Sequence, residues 1–293
     1  MISNNNAKII VAGANGYLGT NLRKSLHRKK FNFVSISRKD FEAYVEEDKI
    51  LVNNIDVSIS NRIKNYDVLI NLIGSGRKTI YEDYYSTNTN LTKTIVEICK
   101  NANIQKIIHI SGLGVSKSNT LSYFISKHRA EDEIIKSGLD YVIFRPSYII
   151  GNQDPLSKKI MKNALKYNQI FVPGSGNYVI QPIFINDVIE IMINAISNSL
   201  FTNNIFDLVG PEVISFKKFV EIFKQAKKLE QQTQFIDMEQ SYFQAIRGYS
   251  NVYCVDDLNI LVGSFTGNPN RITKITGIKL KNIQSALNFN GSS

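Results

Sequence analysis

The feature that most constrains this chain is a glycine series, Gly13-Ala14-Asn15-Gly16-Tyr17-Leu18-Gly19, entered from the apolar run Lys8-Ile9-Ile10-Val11-Ala12 and left through Asn21-Leu22-Arg23-Lys24-Ser25-Leu26. An apolar run, a glycine turn and a helical pattern read as a strand–turn–helix unit. Glycines let the main chain turn sharply and come close to a ligand, while the first N–H groups of the helix and its positive dipole end face outward. Such a unit at the start of a chain implies a bound pyrophosphate, and hence a dinucleotide. The spacing is G-x-x-G-x-x-G rather than G-x-G-x-x-G, so the sequence context carries the reading.

Similar alternation continues downstream. Apolar runs at 8–13, 32–37, 50–55, 67–73, 106–111 and 139–145 predict strands, with helical stretches near 17–29, 81–102 and 120–137 between some of them. Strands separated by helices predict parallel pairing through crossovers, hence an α/β class with a doubly wound, Rossmann-like sheet. A later run, 204–209, is expected to return to that sheet. After Arg145-Pro146-Ser147 the pattern loosens around Pro155, Pro173-Gly174-Ser175-Gly176 and Pro182, which marks residues 1–147 as the nucleotide-binding core and 148–293 as a mixed region forming a small C-terminal substrate lobe. Helix-like Phe216–Phe223 belongs to that lobe.

Composition narrows the function classes. The 293 residues are 43% hydrophobic, enough for a substantial core, yet no run reaches the length of a membrane span and the Asn-rich start lacks the signature of a secretory signal. A cytoplasmic protein is expected. Cys99 and Cys254 have neither disulfide nor zinc spacing, so no metal site is expected. The net charge of +10 is spread over clusters such as Arg28-Lys29-Lys30 and Lys217-Lys218. It suits an anionic cofactor, acidic lipid headgroups or a partner protein; no basic stretch interleaved with aromatics points to specific nucleic-acid binding.

A second constellation is Ser111, Tyr123 and Lys127. Lys127 follows Tyr123 by four residues, a spacing no other Tyr–Lys pair in the chain has, so both side chains share one face of a helix. A neighbouring ammonium is expected to lower the tyrosine pKa and make Tyr123 a proton donor or acceptor near neutral pH. Ser111, at the end of its strand, is expected to orient a substrate oxygen. His109 in an apolar strand reads as a satisfied core or interface histidine, and Asp187 near a helix start as a helix cap.

The chain resembles the extended, atypical branch of the short-chain dehydrogenase/reductase superfamily over roughly residues 7–225. The matching residues are Gly13, Gly16 and Gly19, Asp56 after the third strand, Asn71-Leu72-Ile73-Gly74 closing the fourth, Asn88, and Ser111/Tyr123/Lys127. The runs Ile108–Gly114, Ser122–Lys127, Phe144–Gly151 and Gln181–Val188 are similar to one subgroup, the NADPH-binding accessory subunits of respiratory complex I and their prokaryotic epimerase/dehydratase-like relatives. The resemblance implies Ser111, Tyr123 and Lys127 as catalytic residues. It implies cofactor contacts from Gly13, Asn15, Gly16, Tyr17, Leu18, Gly19, Ser37, Arg38, Asp56, Val57, Leu72, Ile73, Gly74, Asn88, Lys127, Pro146 and Ser147. Partners implied are a small-molecule substrate and a protein complex, or a membrane surface bound peripherally. One departure is the short link from Ser111 to Tyr123, where Gly112-Leu113-Gly114 replaces the longer loop of nucleotide-sugar epimerases.

Cofactor choice turns on Ser37-Arg38 at the end of the second strand, where an NAD-preferring chain carries an acidic residue. Arg38 supplies donors and charge for a 2′-phosphate, which predicts NADP(H) over NAD(H). Asp40, two residues on, is the alternative partner for an unphosphorylated ribose.

Overall fold

The computed structural model describes residues 6–74, 83–248 and 253–289. Six parallel-paired strands form most of a seven-stranded sheet: β1 (Ile9–Ala12), β2 (Phe33–Ser37), β3 (Glu47–Leu51), β4 (Val68–Asn71), β5 (Lys106–Ile110) and β6 (Asp140–Pro146). Their order across the sheet is β3-β2-β1-β4-β5-β6, with the strand Asn204–Leu208 beyond β6. This is the Rossmann-like α/β architecture that the alternating sequence predicts. Because the chain runs outward from β1 in one direction and from β4 in the other, the crevice at the carboxyl ends of β1 and β4 is the topological switch point.

Residue chemistry explains the central strands. Ile9, Ile10, Val11 and Ala12 are all fully buried, as expected of a parallel strand covered on both faces. On one face Ile10, Val34, Leu69, Ile107 and Ile143 pack with Ile95, Ile98 and Cys99 of α2 (Leu91–Asn101). Burial pushes the Cys99 thiol up to about 12, as befits a packing residue. The Lys106 ammonium donates to the carbonyls of Ala195 (2.6 Å) and Ile196 (3.2 Å), closing the end of the helix Ile185–Ser197.

Two elements differ from expectation. The third strand is Glu47–Leu51 rather than 50–55, because its first residue is stabilised by a partner remote in sequence. Glu47 is buried and accepts from Arg23 Nε (2.5 Å) and Nη2 (2.8 Å), Arg23 lying on α1 (Tyr17–Arg28). The expected 81–102 helix begins, within the described residues, with a π-helical turn at Tyr85–Asn90 that runs into α2; residues 81 and 82 lie outside the described residues. The expected 120–137 helix is α3, Ser122–Ile135.

The chain divides into two compact units, Met1–Arg145 with Ile189–Phe206, and Pro146–Val188 with Asp207–Ser293. Within the second unit, strand Gln169–Pro173 pairs in parallel with Gln232–Ile236, and Val179–Ile180 pairs antiparallel with Ile214–Ser215. Its core is aromatic: Phe216 of the helix Phe216–Lys227 stacks on Tyr178 at 5.6 Å and meets Tyr253 edge-on at 6.2 Å. Asp187 is not a cap. It lies inside the first turn of its helix and accepts from the Lys281 amide at 2.8 Å. Among the described residues no helix is long and apolar enough to cross a membrane.

Candidate functional site

Gly13 follows β1 directly and needs to be glycine on two counts. Its φ is +88°, and an added Cβ would lie 3.0 Å from the Leu72 carbonyl carbon and 3.1 Å from the Ile73 amide. Gly19 lies inside α1, where a Cβ would come within 2.4 Å of the Gly13 carbonyl oxygen, so its absence lets the helix pack against the turn. Gly16 is different: it is the exposed N-cap of α1, its φ is −77°, and the nearest atom to an added Cβ is 3.4 Å away. Asn15 beside it is exposed, while Tyr17 and Leu18 are half-buried. Gly16 supplies no capping side chain and the first turn of α1 has no acidic residue, so this helix end presents main-chain donors and uncompensated positive dipole. The geometry suits a diphosphate.

At the end of β2, the Ser37 hydroxyl donates to the Lys39 carbonyl (2.8 Å) and accepts from the Lys39 amide (3.1 Å), which shapes the turn carrying exposed Arg38. Asp40 accepts from Lys49 Nζ at 2.5 Å, and this bond holds its carboxyl below the usual range. Asp56 caps the short helix Val57–Arg62 through the Ser58 amide (2.8 Å), and Val57 is exposed. Pro146 ends β6, and the Ser147 amide donates to the Leu208 carbonyl at 3.1 Å.

Across the switch point the main chain after β4 is a meeting place. An added Cβ on Gly74 would lie 2.8 Å from Lys127 Nζ and 3.1 Å from Asn88 Oδ1. Lys127 Nζ donates to the Ile110 carbonyl at 3.2 Å. Asn88, in the π-helical turn, donates to Ser126 Oγ at 3.0 Å, and Ser126 Oγ donates to the Tyr123 carbonyl at 2.7 Å. A Cβ on Gly112 would sit 3.0 Å from the Tyr123 hydroxyl. Lys127, Asn88, Tyr123 and the strand end bearing Ser111 thus cluster around Gly74 and Gly112, while Tyr84 packs edge-on to Tyr123 at 5.6 Å. The Ser111 amide donates to the Phe144 carbonyl at 2.7 Å, but its buried hydroxyl has no partner among the described residues. A buried hydroxyl in that state is suited to a ligand oxygen.

Electrostatics depart from the expectation at Tyr123. Burial pushes the phenol up to about 12, and the Lys127 ammonium does not offset it, so the hydroxyl stays protonated at neutral pH. Lys127 falls to about 8, chiefly because it is buried, with the Glu131 carboxylate one helical turn away opposing the fall. Glu131 is itself bound at both oxygens by Arg145, at 2.9 and 2.5 Å.

The sequence marks Asn71 only as part of the motif that closes the fourth strand, and His109 only as a core or interface histidine. They are register partners on β4 and β5, and the Asn71 amide nitrogen lies 3.1 Å from His109 Nδ1. The legible signal was one polar residue near the end of each of two adjoining apolar strands.

Over 154 residues the chain is 27% identical to the rat mitochondrial NADH dehydrogenase (ubiquinone) 1 alpha subcomplex subunit 9, covering 53% of this chain and 41% of the relative. Over 224 residues it is 24% identical to the Arabidopsis thaliana protein of the same name, covering 72% and 56%. The chain therefore spans about half the length of these relatives. Among solved structures, MoeE5 in complex with UDP-glucuronic acid and NAD superposes with a TM-score of 0.78 at 16% identity over 96% of each chain. A Staphylococcus aureus nucleoside-diphosphate-sugar epimerase gives 0.78 at 17% identity over 96% of this chain and 100% of that one. At such identities these structures speak for the fold alone. The family profile described as NAD(P)H-binding matches residues 13–170, from the glycine turn through α3 and β6, and the chain belongs to that NAD(P)H-binding family.

Proposed function

We propose that the chain is an NADP(H)-binding oxidoreductase or epimerase/dehydratase-like enzyme of the short-chain dehydrogenase/reductase superfamily, acting on a small carbonyl or alcohol. The observation that carries this reading is the convergence of Lys127, Asn88 and Tyr123 on Gly74 and Gly112, beside a glycine turn shaped for a diphosphate. The nicotinamide, when bound, supplies or accepts the hydride. Tyr123 is held protonated and is fitted to give its proton to the substrate oxygen as that oxygen gains charge. Ser111, whose hydroxyl has no partner among the described residues, donates a hydrogen bond to the same oxygen. Lys127 keeps a positive charge at pH 7 next to Tyr123 and Gly74, and holds the ribose. Arg38 meets the 2′-phosphate, while Lys49 neutralises Asp40, the nearby carboxylate that would repel it.

Calorimetric titration with NADPH and NADH, followed by turnover assays of Tyr123→Phe, tests this. Binding of NADPH with undiminished turnover in the variant would remove Tyr123 from the mechanism.

A second reading takes its motive from the curated relatives, which are named as subunits of a mitochondrial NADH dehydrogenase: a cofactor-retaining accessory or assembly protein of a respiratory complex. A sensor of the NADPH pool is the other non-catalytic form of this reading, and either form places the chain in the cytoplasm or peripherally at a membrane. Retained nucleotide, absent hydride transfer and co-purifying subunits would favour it over the enzyme.

A further inference from the structure

A histidine that merely fills a core is expected to have both ring nitrogens satisfied. His109 does not. Its Nδ1 faces Asn71 Nδ2 at 3.1 Å, whereas its buried Nε2 has no partner among the described residues.

The orientation of the Asn71 amide is fixed independently by the main chain. The Ile73 N–H donates at 3.1 Å to Asn71 Oδ1, so the other end of the amide, facing the imidazole, is the NH2 donor. Nδ1 must then accept, and His109 is the neutral tautomer with its proton on Nε2. Two hydrogen bonds in series, Ile73 to Asn71 to His109, thus run from β5 through β4 into the segment that follows β4. That segment does double duty. Its Leu72–Ile73 peptide abuts Gly13 of the glycine turn, and Gly74 abuts Lys127 Nζ and Asn88 Oδ1.

We infer that His109 is a positioning residue: acting through Asn71, it fixes the Leu72–Gly74 main chain that aligns the glycine turn with Lys127. This rests on the nucleotide reading above and names a residue that reading leaves out. An imidazolium would present a donor to the Asn71 NH2, and the amide cannot turn round without abandoning Ile73. Burial and the nearby Lys127 charge hold His109 well below its usual pKa, which keeps the accepting form.

Two readouts test the inference: exchange of the Ile73 amide followed by NMR, and NADPH affinity by calorimetry, each on the full chain. His109→Leu is expected to speed Ile73 exchange at least tenfold while the β5 amides exchange as in wild type, and to weaken NADPH about tenfold. His109→Asn, whose Oδ1 takes the place of Nδ1, is expected to recover most of both despite its smaller side chain. Asn71→Ala cuts the link from the other end and should reproduce the His109→Leu effects, which guards against one variant failing to fold. The inference is overturned if the Leu and Ala variants match wild type in both readouts. It is equally overturned if the Leu and Asn variants lose affinity alike in step with melting temperature, the mark of a packing role. A wild type that takes up neither coenzyme refutes the nucleotide reading and this role with it; a wild type that binds beside unaffected variants refutes this role alone.

Discussion

Burying an ammonium is unfavourable, and Lys127 carries that penalty in plain form: its pKa falls from 10.5 to about 8. Because the unfolded chain binds this proton more tightly than the native one, native stability rises with pH between about 8 and 10.5, and below 8 the penalty is full. Lys127→Met removes that penalty but also the bond to the Ile110 carbonyl, so it should stabilise the protein at pH 7 by about 1–2 kcal/mol, with the advantage shrinking as pH climbs through that window. Urea unfolding of both proteins at pH 7 and pH 10 measures it; a variant less stable than wild type at pH 7 would show that the ammonium is stabilising where it stands. The same substitution should remove turnover. For Tyr123→Phe the ring contacts with Tyr84 and Phe124 survive, so the melting temperature should hold while turnover falls roughly 100-fold or more. NADPH affinity should stay within about threefold, since only the proton-bearing atom is lost. At this scale Ser111, Tyr123 and Lys127 were legible as residue types at a spacing. The environment that pushes Tyr123 up rather than down was not, because burial depends on Tyr84, Phe124 and the strand ends, which only the folded chain assembles.

The strand–turn–helix element separates its glycines by what each would collide with. Gly19→Ala drives a methyl into the Gly13 and Ala14 carbonyls and should destabilise by roughly 1–3 kcal/mol, outweighing the gain in helix propensity. Gly16→Ala meets nothing closer than 3.4 Å and should leave the melting temperature nearly unchanged. If a diphosphate lies over that helix end, the same variant should weaken NADPH tenfold or more; equal affinity would move the ligand elsewhere. Elements were readable where a strand is mostly apolar and buried, as in β1, β2, β4 and β5. The reading slipped by three residues at β3, where Glu47-Asp48-Lys49 looks like loop until Arg23 of α1 arrives to neutralise Glu47. The π-helical start of the helix leading into α2 left no mark in Ser86-Thr87-Asn88-Thr89, although it is this turn that sets Asn88 against Gly74. Asn71 and His109 became a pair only through the register of β4 with β5.

For the whole molecule, the seven-stranded sheet and the superpositions on MoeE5 and the Staphylococcus aureus epimerase agree on one architecture, whose strand order puts the switch point at the carboxyl ends of β1 and β4. In the proposed function this switch point takes NADP(H), with Arg38 meeting the 2′-phosphate and Asp40 already neutralised by Lys49. Calorimetric titration of wild type and Arg38→Ala with NADPH and NADH is the decisive measurement. The expected result is NADPH bound at least tenfold more tightly than NADH by wild type, with the difference largely lost in the variant. Equal affinities in wild type would contradict the phosphate assignment, and no heat with either coenzyme would contradict the nucleotide site itself.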